Sequence, residues 1–270
     1  MNRYYKLFQQ LKKREEGCFI PFVILGDPNI ELSYKIINTM IYSGADALEL
    51  GFPFSDPMAD GKIIQSANIR ALKNNINYIK CFELLQKIRK KFPNIPIGLL
   101  LYANIIFNIG VKNFYKKCHE LNIDSILIVD VPIEESVSFL YLSKKYQIAQ
   151  IFICPPNADD ALITKISLYA EGYIYILSRT GVTGITQKTI KPCETIIKKF
   201  NNLTKTPLIQ GFGIYDIKQI KESIKLGING VICGSIIIQI IEKNIHNSKI
   251  ILLKIQKLIK ILKKSTKILC

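Results

Sequence analysis

At 270 residues with 49% hydrophobic content the chain can bury a large core, and its length suits one barrel-type domain or two smaller ones, of which we favour the first. Its longest apolar runs, such as Cys18 to Leu25 and Ser235 to Ile241, fall far short of the roughly 18 residues that a membrane-spanning helix requires, so no membrane association is expected. The net charge of +16 raises the question of nucleic acid, but the lysines are scattered among an excess of Ile and Asn, which reads as compositional drift rather than a built binding stripe.

The opening Met1-Asn2-Arg3-Tyr4-Tyr5-Lys6-Leu7-Phe8 has neither an apolar signal core nor the character of a transit peptide. Seven cysteines stand tens of residues apart, with no Cys-x-x-Cys pair, and read as free thiols in a reducing cytosol. A cytoplasmic protein is therefore expected. The Asn202-Leu203-Thr204 sequon is then a coincidence.

A leading helix is predicted over Tyr4 to Arg14. Eight short β-rich runs follow: Cys18 to Leu25, Ala45 to Gly51, Ile95 to Leu101, Asp124 to Asp130, Ile148 to Cys154, Gly172 to Ser178, Pro207 to Gly211 and Asn229 to Gly234. Helical patterns separate them at Glu31 to Tyr42, Cys81 to Lys91, Val111 to Leu121, Glu134 to Tyr146, Asp159 to Tyr169, Pro192 to Phe200 and Ile217 to Leu226. Strands alternating with helices in this way spell an α/β fold, a single (β/α)8 TIM barrel over residues 1–270. Ile236 to Glu242 adds a short apolar helix after the eighth strand, opened by Ser235. A last helix, Lys249 to Lys264, carries Lys254, Lys257, Lys260 and Lys264 along one side. Taken alone it could lie on an anionic membrane, but a closing barrel helix with a solvated basic face is the simpler reading.

Active sites of such barrels lie at the C-terminal ends of the strands. Glu49 falls at one. In Ala45-Asp46-Ala47-Leu48-Glu49-Leu50 the alternation puts Glu49 on the face of the small residues, which in a barrel is the interior. Desolvating a carboxylate there costs several kcal/mol unless it is paired or protonated. Asp60 follows across a Pro-rich loop, and the two look like an acid/base pair. Three glycine clusters, Gly181-Val182-Thr183-Gly184, Gly211-Phe212-Gly213 and Gly234-Ser235, follow the last three strands. Glycine lets backbone N–H groups close on a ligand, and the helix opened by Ser235 presents a positive N-terminus, so together they suit a phosphate. His119 and His246 sit in helical or solvent-facing context, which argues against a His-based triad or metal site, and no metal is expected. Neither a dinucleotide fingerprint nor a Walker loop is complete.

Phe19-Ile20-Pro21-Phe22, Gly26-Asp27-Pro28, the Glu49 to Gly61 block, Pro96 to Leu100, Tyr102-Ala103-Asn104, Asp130-Val131-Pro132, Ser178 to Gly184 and the two later glycine clusters resemble the tryptophan synthase α subunit family. The resemblance spans about residues 17–245. It departs at Met58, where Leu is usual, and at Lys62, where proline is commoner, so that the loop beside Asp60 loses some stiffness. The resemblance implies a lyase that cleaves indole-3-glycerol phosphate into indole and glyceraldehyde 3-phosphate. It makes Glu49 and Asp60 catalytic, and sets Phe22, Leu100, Leu127, Tyr175, Thr183 and Phe212 about the substrate. Tyr173, near Tyr175 on the sixth strand, is left open to face the helices instead. Gly184, Gly213, Gly234 and Ser235 would hold the phosphate. The resemblance also implies a β-subunit partner in an α2β2 heterotetramer, met near Pro53, Asp56, Asn104, Phe107 and Pro132, with pyridoxal phosphate bound only in that partner and no cofactor here. Two other readings stay open: a catalytically weak subunit that mainly activates the β partner, and another phosphate-binding barrel enzyme.

Overall fold

A computed structural model describes residues 3–177, 194–211, 213 and 216–268. Eight parallel strands close into a barrel in chain order: β1 (Cys18–Ile24), β2 (Leu48–Gly51), β3 (Ile97–Leu101), β4 (Ser125–Ile128), β5 (Ala149–Cys154), β6 (Ile174–Leu177), β7 (Leu208–Gly211) and β8 (Gly230–Cys233). Nearly every residue in them is buried, because one face meets the barrel interior and the other meets the helices. The same double burial is what makes the strands read as continuous apolar runs in the sequence.

Around the barrel lie α1 (Arg3–Lys13), α2 (Ile30–Tyr42), α3 (Lys62–Lys73), α4 (Tyr78–Lys91), α5 (Ala103–Ile109), α6 (Val111–Glu120), α7 (Val137–Tyr146), α8 (Asp160–Tyr169), α9 (Glu194–Leu203), α10 (Ile217–Lys225), α11 (Ser235–Lys243) and α12 (Ser248–Lys264). Several start where a side chain satisfies the first free N–H groups. Asn29 accepts from Leu32, Asn77 from Lys80 and Asp159 from Leu162, while Asp216 and Gln219 form a reciprocal capping box on α10. In α12, Ile251, Ile255 and Ile259 repeat every fourth residue and are fully buried, and Lys254, Lys257, Lys260 and Lys264 are exposed. The last helix thus packs as a barrel helix with a solvated basic side. No helix among the described residues is long and apolar enough to cross a membrane.

Two helices go beyond the sequence reading. α3 replaces what reads as loop after Asp60: its buried positions are Ile64, Ala67, Asn68 and Ala71, a stripe too small and too polar to stand out. α5 turns barely twice before Gly110, whose φ of 87° ends it. The run from Glu134 divides into a 3-10 turn, Ile133–Glu135, and α7.

Candidate active site

Glu49 sits in the middle of β2, paired in register with Phe22 of β1 and Gly98 of β3. It is 2% exposed, and the Tyr173 hydroxyl donates to its Oε1 at 3.1 Å. Burial pushes its pKa up to about 8, with the Tyr173 hydrogen bond opposing only part of the rise. At neutral pH the group is therefore mainly the neutral acid.

Asp60 stands immediately before α3. It is 6% exposed, and burial lifts its pKa to about 6 against the opposing hydrogen bonds of Tyr102 and Asn68. Its loop is tied down by several contacts. The Phe54 N–H donates to Asn68 Oδ1 at 3.0 Å, the Ala59 N–H to the Tyr102 hydroxyl at 3.1 Å, and Phe54 stacks on the Tyr102 ring at 4.9 Å. Gln65 reaches back to the Asp60 carbonyl at 2.8 Å. Lys62 opens α3 as its first residue, a position where proline is favoured for its fixed φ but where any helix former serves. The stiffness that a proline would supply comes instead from α3 itself. The N-terminus of the helix also places a partial positive charge beside Asp60, which favours its anion.

Eight of the expected residues line one cavity with about 510 Å³ of empty space, mouth included. Glu49 and Asp60 share it with Phe22, Leu100 and Tyr175, and with Gly213, Gly234 and Ser235. Gly234 caps α11, so the unpaired first-turn N–H groups of that helix arrive at the cavity wall. Gly213 takes a φ of 84°, in the left-handed region that favours glycine. Gly211 serves a different end: a Cβ there would overlap the Tyr175 phenol, so its bareness seats that ring across the barrel.

Leu127 is buried on β4 in register with Leu100 and Ile151, and Val129, two residues on and just past the end of that strand, is what lines the cavity. Ala59, Ile64 and Ile232 complete the apolar wall. Ile232 alternates with Gly234, a signal the sequence did contain. Tyr173 does not face the helices. It is 1% exposed, turned inward to Glu49 like its neighbour Tyr175, since residues two apart on a strand share a face. Thr183, Gly184 and Phe212 lie outside the described residues.

Pro53, half-buried, and Asp56, exposed, lie on the loop after β2. Asn104 and Phe107 are exposed on α5, and Pro132 is exposed after β4. All five therefore sit on segments leaving the C-terminal ends of three consecutive strands. Asp130, also exposed, accepts the Ala103 N–H at 2.8 Å and holds the start of α5. His119 is tied to the Tyr146 carbonyl at 2.8 Å, away from the cavity. Among the described residues no cluster of three or more His, Cys, Asp or Glu could hold a metal.

The model of the family described as tryptophan synthase alpha chain matches residues 8–267. The tryptophan synthase alpha chain of Buchnera aphidicola subsp. Baizongia pistaciae is 55% identical over 265 residues, 98% of each chain. This chain belongs to the tryptophan synthase alpha chain family. Among solved structures, the tryptophan synthase subunit alpha of Legionella pneumophila superimposes with a TM-score of 0.88 at 29% identity, covering 98% of both chains. A chain in the tryptophan synthase complex of Pyrococcus furiosus gives 0.82 at 28% identity, covering 92% of this chain and 98% of that one. In a family member with this barrel, the cavity at the C-terminal mouth is where chemistry is expected.

Proposed function

We propose that this chain cleaves indole-3-glycerol phosphate to indole and glyceraldehyde 3-phosphate, as the α subunit of tryptophan synthase in tryptophan biosynthesis. One observation carries the mechanism: two buried carboxyl groups share one cavity, and burial pushes the pKa of Glu49 up to about 8 and that of Asp60 only to about 6, which suits one as acid and the other as anion. Glu49, the neutral acid, gives its proton to the indole ring carbon that bears the side chain. The resulting carboxylate takes the proton of the adjacent hydroxyl. The oxygen electrons form the aldehyde, the carbon–carbon bond breaks, and its electron pair restores the indole ring. Asp60 accepts a hydrogen bond from the ring N–H and stabilises the cationic intermediate, which requires its charge throughout.

Phe22, Leu100, Leu127, Tyr175, Thr183 and Phe212 form the slot about the indole in this reading, and Gly184, Gly213, Gly234 and Ser235 hold the phosphate. That the cavity has both an apolar wall and a helix N-terminus in its lining supports that division. The proton transfers need no cofactor in this chain. Pyridoxal phosphate belongs to a β-subunit partner, which we place against Pro53, Asp56, Asn104, Phe107 and Pro132, in an α2β2 assembly working in the cytoplasm. The closed barrel supports reading residues 1–270 as one domain.

Adding indole-3-glycerol phosphate and following indole, with and without a β subunit, tests the proposal. Indole release is expected in both and faster with the partner. Absence of indole in both would overturn it.

A further inference from the structure

We propose that Tyr4, on the helix that precedes the barrel, is a positioning residue for the acid/base step: packed beneath Tyr173, it keeps water at the N-terminal mouth of the barrel from reaching the Glu49 carboxyl. The inference rests on the function proposed above and adds to it a role for a residue remote in sequence from every motif.

Tyr4 belongs to α1, outside the barrel, yet is 1% exposed. Its ring meets Tyr173 edge-on, centroids 5.5 Å apart at 72°, and Tyr173 in turn donates to Glu49. Its hydroxyl shares a 2.9 Å hydrogen bond with Ser125 Oγ. The strands are shaped around it. Gly98 lies opposite Glu49 in register, and a Cβ there would stand 2.7 Å from Ser125 Oγ and 3.1 Å from Tyr4 Oη. A side chain at position 98 would displace this hydrogen-bonded pair from beneath the acid.

A broad polar groove at the N-terminal mouth is lined by Arg3, Lys6, Gln10, Asp46 and Asp124, among others, with Tyr4 not part of its lining. Tyr4 thus separates this groove from the carboxyl whose neutrality depends on staying dry. The titratable groups around the seal, among the described residues, come from three strands besides Glu49 itself. Asp124 faces it from the start of β4 with Arg3 and Arg89 already bound to it, Cys18 from β1, and Tyr173 and Tyr175 from β6.

The test is a carbon-13 NMR titration of Glu49 in substrate-free protein, its signal assigned by loss in Glu49→Gln, across Tyr4→Phe, Tyr4→Leu and Tyr4→Ala. Tyr4→Phe keeps the ring and should keep the midpoint. Tyr4→Leu and Tyr4→Ala open a path for water and should lower it by roughly one pH unit or more, a modest part of what burial can impose. The alkaline limb of indole release should move down by the same amount, with inorganic phosphate binding as before. A purely structural Tyr4 would lower stability without moving the midpoint. Should the alanine variant not fold, the leucine variant decides. An unmoved or raised midpoint in the folded leucine variant overturns the inference, whether or not the enzyme cleaves. A lowered midpoint in a protein that releases no indole would sustain the seal and remove the proposed function.

Discussion

Asp124 at the N-terminal mouth of the barrel and the Glu49–Asp60 couple at the C-terminal mouth are buried under opposite regimes. At the N-terminal mouth Asp124 receives Arg89 at 2.7 Å, Arg3 at 2.9 Å and the Ile97 N–H at 2.8 Å. At the C-terminal mouth, among the described residues, no cation is paired with Glu49 or Asp60. Their partners are neutral hydroxyl and amide groups, which offset desolvation only in part. Pairing at one end locks strands together. Leaving Glu49 and Asp60 without counter-charges keeps them able to exchange protons, and that difference separates a structural acid from a catalytic one.

The comparison breaks most sharply at Glu49. Glu49→Gln removes the only exchangeable proton of the acid while keeping its shape, and cleavage should fall by at least ~10³-fold, the scale of general acid–base catalysis. Steady-state indole release checks this, and a variant with near-normal turnover would put the proton elsewhere. The same substitution should stabilise the protein at alkaline pH. The folded pKa of Glu49, about 8, lies above its unfolded value, so between about pH 4.5 and 8 the folded state holds a proton that the unfolded state has lost. Stability of the unaltered chain therefore declines with rising pH across that window, and Glu49→Gln should gain on it by several kcal/mol in urea melts compared at pH 5 and pH 8.

Asp124→Ala reverses the pattern. It leaves the buried Arg89 guanidinium without its counter-charge near the barrel floor and should cost about 3–5 kcal/mol of stability, the scale for breaking a buried pair. Urea unfolding at pH 7 measures it, and a loss under 1 kcal/mol would mean that the pairing is not what holds this mouth. Asp60→Asn should cost less, about 1.5–3 kcal/mol in kcat/KM, the worth of one hydrogen bond to a charged group, with an ordinary melt. The smallest and subtlest effect is on the pH profile. Activity needs Asp60 ionised and Glu49 protonated, so it should fall below about pH 6 and again above about pH 8. A profile flat from pH 5 to 9 would separate the rate from both groups.

Much of the fold was legible because parallel barrel strands must be apolar on both faces and helices must not be. Strand limits shrank where the hydrophobic run outlasted the ladder, as in β2, which pairs only from Leu48 although the pattern begins at Ala45. α3 stayed hidden because Asn68 occupies a buried helix position, its amide used in bonding Phe54, Ile64 and Asp60. At the site, Glu49 could be read from local alternation. Its partner Tyr173 lies 124 residues away and meets it only across the closed barrel, so nothing local announces the contact. The same holds for Arg70 of α3, which binds Asp27 after β1 at 2.7 and 2.9 Å and reaches Glu242 of α11 at 3.2 Å. That triad ties the helix beside Asp60 to the helix at the cavity wall.

The most direct measurement is a simultaneous carbon-13 titration of Glu49 and Asp60 in the substrate-free protein. A protonated Glu49 beside an ionised Asp60 at pH 7, with midpoints near 8 and 6, is the predicted result. Both groups ionised at pH 7, with midpoints near those of ordinary carboxylates at about 4, would contradict the account.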